Sequence, residues 1–418
     1  MKNISKLIYV LAIMVWINIH LSIKAQDTWQ LSNPTGEIPD AIIGHSMVSI
    51  GNKIYLFGGM NNTKSIFNHI SIYDNEQQWV KMQSPTPKPS ERYNHKAVGY
   101  NGKMYVFFGF DGTNKLDDVW YYDVTNNVWH ELILNSPKPV ARTDFSTLII
   151  NNMVWIFGGL DANGNVLNDL WAYNLTDDNW EQYPSFNTTG LSGHISGYGN
   201  PFIYFLGGND NNGLNTQMYC FNTGNYNWST VTANGDIPQP AANQCFIPYT
   251  DDIAFIFSGN TSTGISNNLY KWDLLNNMFT QLAAGPTLEN TAGSYIKYSQ
   301  DKYDTYQSLV FFGGSDGTNI INNTWIYTSD ILLTTNINEH KMKDIFVYPN
   351  PAINHININC FEEIVKIIIQ TSLGQIVYQS NIIDENKRIK ISDLSEGFYT
   401  ITITTKDKKY SKKFAIQR

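Results

Sequence analysis

One unit returns about every 50 residues, and it limits the folds open to this chain more than any other feature. An aromatic–aliphatic run that closes on glycine occurs six times: YLFGG at 55–59, YVFFG at 105–109, WIFGG at 155–159, YFLGG at 204–208, FIFSG at 255–259 and VFFGG at 310–314. The closing glycines are 50, 50, 49, 51 and 55 residues apart. A period of this size marks a repeated supersecondary unit that cannot bury its apolar face alone and must stack on copies of itself.

Two further marks keep step with the glycines. Trp79, Trp129, Trp180, Trp228 and Phe279 follow them by 20 or 21 residues, after an aromatic-plus-Asp/Asn strand end such as Tyr122-Asp123. His45, His95, Phe145, His194 and Cys245 precede them by 14, and in the sixth copy the slot falls near Gly293, ahead of a lengthened hairpin. Each unit reads as four short strands. Residues 45–50 and 53–58 flank Gly51-Asn52, and 97–100 and 103–108 flank Asn101-Gly102, a pair suited to the positive φ angles of a tight hairpin. Glycine pairs inside strands cost stability, so a repeated pair implies close packing, expected here against the repeated Trp. After Gly314 the chain supplies one more strand, around 323–327, and no closing Trp strand. Trp29 in TWQLS matches QWVKM (78–82), VWHEL (128–132) and MFTQL (278–282), so the N-terminal strand is expected to complete the sixth unit and remove an exposed edge.

The diglycines, the endings of the type Tyr122-Asp123…Asn127-Val128-Trp129 and the leads Pro89, Arg92 and His95 together resemble the Kelch repeat. The resemblance covers about 300 residues and implies a β-propeller of four-stranded blades around a channel. Copies two and five depart from it with one glycine each, Gly109 and Gly259, and the arginine occurs only as Arg92 and Arg142. The expected fold is all-β: a six-bladed Kelch-type propeller over 26–333, a polar linker at 334–343, and a small Ig-like β-sandwich over 344–418.

That last unit has about seven short strands with turn signals between them. It is similar to the C-terminal sorting domain of the type IX secretion system through Tyr348-Pro349-Asn350-Pro351, the Gly374 turn, Leu394 with Glu396-Gly397-Phe398-Tyr399, and the closing Lys412-Lys413-Phe414-Ala415-Ile416. The resemblance implies the outer-membrane secretion machinery as a partner, and cargo that is tethered at the cell surface or released. Residues 1–25 read as a signal peptide, with Lys2 and Lys6 ahead of an apolar run from 7 to 19 and Ala25 before the cut, leaving no transmembrane segment in the mature chain. Charge divides the same way. Residues 26–334 hold 13 basic and 27 acidic side chains, a net of −14, whereas 335–418 hold 12 and 9, a net of +3. An overall charge of −8 argues against a nucleic-acid partner.

No residue set assigns catalysis, a cofactor or a metal. Cys220, Cys245 and Cys360 are too few and uneven for a disulfide framework. His45, His95 and His194 share one repeat slot, which gives them a common structural role; His69, His130, His340 and His355 are scattered. Asp161-Ala162-Asn163-Gly164-Asn165 has part of a calcium-loop pattern but lacks its closing Glu, and Asp-Gly and Asn-Gly suit tight turns. Tyr219-Cys220 has no histidine neighbour of the kind that copper oxidases on this fold need. The expected function is a non-catalytic surface module that binds glycan or protein. The alternatives are a carbohydrate-active Kelch enzyme, epimerase- or oxidase-like, and a structural or adhesive surface protein.

The expected binding face is the channel mouth where two loop sets meet. Between the second and third strands lie Asn61, Asp111, Asp161, Asp210 and Asp316; between units lie Arg92, Tyr93, Asn94, Arg142, Asp144, Asn243 and Asn290. Variable loops on a repeated scaffold are where binding groups gather. Amides, carboxylates, one aromatic and two arginines suit sugar hydroxyls better than phosphates, which would want more cations.

Overall fold

The computed structural model describes residues 27–83, 86–133, 137–186, 190–299, 305–329, 332, 346–348, 352, 355–359, 364–371, 374–381, 388–406 and 409–416. The expected signal peptide, the linker at 334–343, Pro349, Asn350, Pro351, His340 and Cys360 lie outside them. Strands make up the regular structure of the described residues, with no α-helix among them.

Six sheets, each with four antiparallel strands, follow one another, one per copy of the repeat; Thr35–Gly36 and Asn234–Gly235 add a short parallel strand at the outer edge of the first and the fifth. The first orders its strands Ser46–Ile50, Lys53–Phe57, Ile70–Tyr73 and Gln78–Met82 from the inside outward. Alternation does not decide these strands, because both faces are covered: Lys53–Phe57 is buried from its second residue onward. The inner strands are Ser46–Ile50, Lys96–Tyr100, Ser146–Ile150, Ile195–Gly199, Cys245–Pro248 and Ala292–Ser299. Each lies beside the next, and the sixth lies beside the first. The sixth sheet takes its outermost strand from the N-terminus: Thr28–Leu31 pairs with Thr324–Thr328, Trp29 opposite Tyr327.

Aromatic side chains hold neighbouring sheets together. Trp129 lies 4.8 Å from Phe57, Trp228 5.0 Å from Phe157 and Trp79 4.9 Å from Phe312, each reaching back to the preceding sheet. Trp29 repeats the contact from the sixth sheet to Phe257 of the fifth at 4.8 Å, and its indole N–H donates to the Ala283 carbonyl at 2.8 Å.

Tryptophan does not fill the space left by the glycine pairs, as the sequence suggested. A Cβ on Gly58 would stand 2.8 Å from His95 Cε1, and one on Gly158 3.2 Å from His194 Cε1. The first glycine therefore receives the histidine of the next sheet. Where it is missing, the partner changes too: Phe108 takes the position at φ 56° and packs 5.4 Å from Phe145, which stands where other copies have histidine. Register also corrects the histidine slot in the last two copies. Ser46 faces Phe57 and Cys245 faces Phe257, so the residues matching His45 are Gln244 and Thr291, not Cys245 and Gly293. Longer hairpins in those copies shift a count made backward from the glycine.

The C-terminal residues form two further sheets, one of Phe346–Tyr348, His355–Asn359 and Arg388–Lys390, the other of Ile376–Ser380, Ile364–Thr371, Gly397–Thr405 and Lys409–Ile416. Both contribute to one core that includes Ile356, Ile367, Ile389, Ile401 and Phe414. Tyr399 is buried, stacks 5.6 Å from Phe414 and donates its hydroxyl to the Ser395 carbonyl at 2.7 Å. Gly374, at φ 82°, closes a turn by donating to the Thr371 carbonyl. Gly397 opens the strand that carries Tyr399, at φ 147°.

Candidate functional site

The two loop sets share one end of the repeat domain. Single backbone bridges join Ile43 to Met60, Tyr93 to Phe110, Thr143 to Leu160, Ser192 to Asn209, Ala242 to Asn260 and Glu289 to Ser315, tying each inter-sheet link to its own second–third strand loop. At the other end the Val124 amide donates to the Gly102 carbonyl, so Asn101 and Asn126 belong to the opposite rim.

The residue after each bridge has positive φ: Gly44 66°, Asn94 52°, Asp144 55°, Gly193 65°, Asn243 56° and Asn290 51°. Glycine, asparagine and aspartate tolerate that conformation best, so backbone geometry selects Asn94, Asp144, Asn243 and Asn290. The same residues link sheets, because the Asn94 amide donates to the Gly44 carbonyl at 2.8 Å, Gly193 to Asp144 at 2.7 Å and Asn243 to Gly193 at 2.7 Å.

Around Asp144 the side chains gather. Its Oδ1 accepts from Asn94 Nδ2 at 3.0 Å and its Oδ2 from Thr143 Oγ1 at 2.8 Å. Burial, then the Asp144 charge, pushes the Tyr93 hydroxyl pKa up. The Tyr93 ring packs edge-on to Phe110, 5.6 Å away. Burial lowers the pKa of Lys96 and of Lys115, and Asp144 opposes it in both. Lys115 Nζ donates to the carbonyls of Leu160 (3.1 Å) and Asp161 (2.7 Å), crossing to the next sheet. The sequence reading missed both lysines. Lys96 follows directly on the His95 slot at the start of an inner strand, and that position is the signal that could have found it.

The arginines do not reach the mouth. Arg92 is fully buried: Nη1 and Nη2 donate to Asp118 Oδ1 and Oδ2 at 2.7 and 2.8 Å, Nη1 also donates to the Phe108 carbonyl, and Nε donates to the Ser90 carbonyl. Arg142 repeats this with Asp169, both bonds at 2.7 Å, and with the Gly158 and Val140 carbonyls. Burial pushes the Asp118 and Asp169 carboxyls up, but hydrogen bonds from the arginines and their charges overcome it and hold both low. With every one of these donors engaged inside the sheet, Arg92 and Arg142 brace their sheets and are not available to a ligand. Asp118 and Asp169, two residues before Trp120 and Trp171, are the partners the sequence reading did not pick out.

The second–third loop acids turn back on their own backbone. Asp111 Oδ1 accepts from the amides of Thr113 and Asn114, Asp161 Oδ1 from Asn163 and Asn165, Asp316 Oδ1 from Thr318 and Asn319, Asp210 Oδ1 from Asn212, and Asn61 Oδ1 from Thr63 and Ser65. They shape the loops, and Asp161 meets the Asp144 group through its backbone carbonyl, which accepts from Lys115. Among the described residues no three His, Cys, Asp or Glu side chains gather to hold a metal.

His45, His95 and His194 stand just inside this ring. Burial lowers His45 and His194 to about 3 and His95 well below its ordinary value, so all three are neutral at neutral pH.

Comparison with known proteins bears on both units. Residues 14–194 match the KLHDC2/KLHL20/DRC7 Kelch-repeats domain, and residues 346–417 match the secretion system C-terminal sorting domain. Over 191 residues the chain is 22% identical to the leucine-zipper-like transcriptional regulator 1 homolog of Drosophila melanogaster, covering 44% of this chain and 20% of that protein. The chain thus spans about a fifth of that relative's length. A sorting domain implies interaction with the secretion machinery and export to the cell surface or release. These matches place a Kelch-repeat domain over residues 14–194 and a secretion-system sorting domain over 346–417, and together they support a secreted Kelch-repeat protein.

Proposed function

We propose that the six sheets are the blades of one propeller, closed by the strand carrying Trp29, that the C-terminal unit is an Ig-like sandwich which exports it, and that the exported propeller binds a glycan or protein ligand at the mouth around Asp144. The cyclic order of the inner strands supports the first part. Two sheets on one core, with Tyr399 pinned to Ser395, support the second.

One observation carries the binding reading. Tyr93, Asn94, Lys96, Lys115 and Asp144 bring an aromatic ring, an amide, two cations and a carboxylate to one place, half-buried, at the end where the variable loops meet. Such mixed polar sites beside an aromatic face suit a ligand dense in hydroxyls. Asn243 and Asn290 extend the rim on the same ring; Asn61, Asp111, Asp161, Asp210 and Asp316 hold the surrounding loops in shape.

The mature protein on an array of neutral and acidic glycans should retain a chemically related subset and leave it unchanged. Turnover of a retained glycan would favour the enzyme reading, and an empty array would turn the search to protein ligands.

A further inference from the structure

The joint between the third and fourth sheets contains an unmet need. Ser146 Oγ, Ser196 Oγ and both ring nitrogens of His194 are buried and make no hydrogen bond among the described residues. Burial lowers the His194 pKa and the nearby Leu191 carbonyl only partly opposes it, while neither ring nitrogen makes a hydrogen bond of normal geometry. Buried polar groups are nearly always paired with protein, water or a ligand, so three in one joint call for an occupant.

Strand alternation puts the three together. Leu148, two residues beyond Ser146, shares a core with Ile203 and Phe205 of the fourth sheet, so Ser146 faces that sheet. A Cβ at Gly197 would meet Leu274 and Trp272 of the fifth sheet, so Ser196, on the other side of its strand, faces the third. His194 lies edge-on to Phe157 of the third sheet at 5.3 Å. At the joint between the first and second sheets, the matching slots bond directly, Ser46 Oγ to His95 Nε2 at 2.8 Å. Ser146 and His194 leave the same contact open.

Lys96 supplies charge at this level. It opens its inner strand opposite Phe107, as Ser146 does opposite Phe157. Lys96 takes no part in the ion pairs of the repeat domain, Arg92–Asp118, Lys138–Asp117 and Arg142–Asp169, among its described residues. Its strand lies directly beside that of Ser146, and its charge is felt at Asp144, Cys245 and His194, on the third, fifth and fourth sheets. Asp144 stands beyond ion-pair distance, with both oxygens already bonded. One ammonium, two hydroxyls and a neutral imidazole offer donors and a positive charge. A metal cation would want several carboxylates or imidazoles together, which are not found among the described residues.

We infer that the joint between the third and fourth sheets, just inside the mouth, binds a small oxyanion group, phosphate or carboxylate, with Lys96 of the neighbouring inner strand as its counter-charge and Ser146, Ser196 and His194 as its neutral donors. The group arrives either as a free anion or as the acidic substituent of a larger ligand; the second source rests on the mouth-binding reading, the first does not.

The test uses the mature full-length protein and follows its thermal midpoint against sodium phosphate, sodium acetate and sodium glucuronate, with glucose as the neutral control and ionic strength held constant. A ligand that binds only the folded state raises the midpoint along a saturation curve. General salting by phosphate also raises it, without saturating and without regard to Lys96. A saturable rise with at least one anion is expected in the wild type, and Lys96→Met should remove it. The double variant Ser146→Ala, Ser196→Ala should weaken it about tenfold, and carries the test if Lys96→Met does not fold. Phosphate acting alone would assign a free anion; a steeper response to glucuronate than to phosphate would assign an acidic ligand. Equal responses in wild type and variants, or no saturable response to any of the three anions, would overturn the site and leave binding at the mouth standing.

Discussion

Arg92 and Asp118 form a nearly buried pair with bidentate geometry, and Arg142 and Asp169 repeat it one sheet later. Removing one member of such a pair strands the other, at about 3 kcal/mol or more. Arg92→Met should therefore lower unfolding free energy by about that amount in denaturant titration while leaving ligand binding by the folded fraction intact. Loss of binding at full stability would return Arg92 to the mouth. The histidines offer a second check. Their folded pKa values lie below those of the unfolded chain, so the unfolded state takes protons first between about pH 6.5 and about 3. Their stabilising effect is complete above that window and is lost as pH falls through it. His45→Gln, which copies the Gln244 solution of the fifth sheet, should make the loss between pH 7 and 5 smaller by about 2 kcal/mol, the share of one histidine. An unchanged slope would mean that His45 is not buried neutral. Sequence spacing located these residues well, yet put the arginines on the binding face, because whether a guanidinium faces solvent or Asp118 depends on a partner 26 residues away.

At the scale of strands, the N-terminal Thr28–Leu31 is the element on which closure depends. Its pairing with Thr324–Thr328 joins residues about 300 apart and covers an edge that would otherwise be open. Trp29 is half-buried, so Trp29→Ala should cost about 3 kcal/mol, the lower end for a large aromatic, seen as a lower melting midpoint. An unchanged midpoint would count against closure through this strand. Most strand positions could be read from the chain, since turn pairs such as Asn101-Gly102 and the recurring Trp fix register from within one copy. The lengthened fifth and sixth hairpins could not be aligned that way, and counting placed Cys245 and Gly293 where Gln244 and Thr291 stand. The partner of each first glycine was also hidden, because it comes from the next sheet.

For the whole molecule, the account joins an exported scaffold to a binding mouth. Deleting 344–418 should leave the repeat domain inside the outer membrane, measured by fractionation; normal surface levels would contradict the sorting role. The loop acids Asp111, Asp161 and Asp316 were legible as turn formers, while Lys96 and Lys115 were not, because their company at Asp144 comes from several sheets. The central claim, that the ligand occupies the mouth, is tested most directly by comparing the two rims once an array has supplied a ligand. Affinity is measured by calorimetry for Tyr93→Ala with Asp144→Gly, and separately for Asn101→Gly with Asn126→Ala on the opposite rim. The account predicts at least a tenfold loss for the first pair, with the folded midpoint retained, and no change for the second. Full affinity in the first pair together with loss in the second would contradict it.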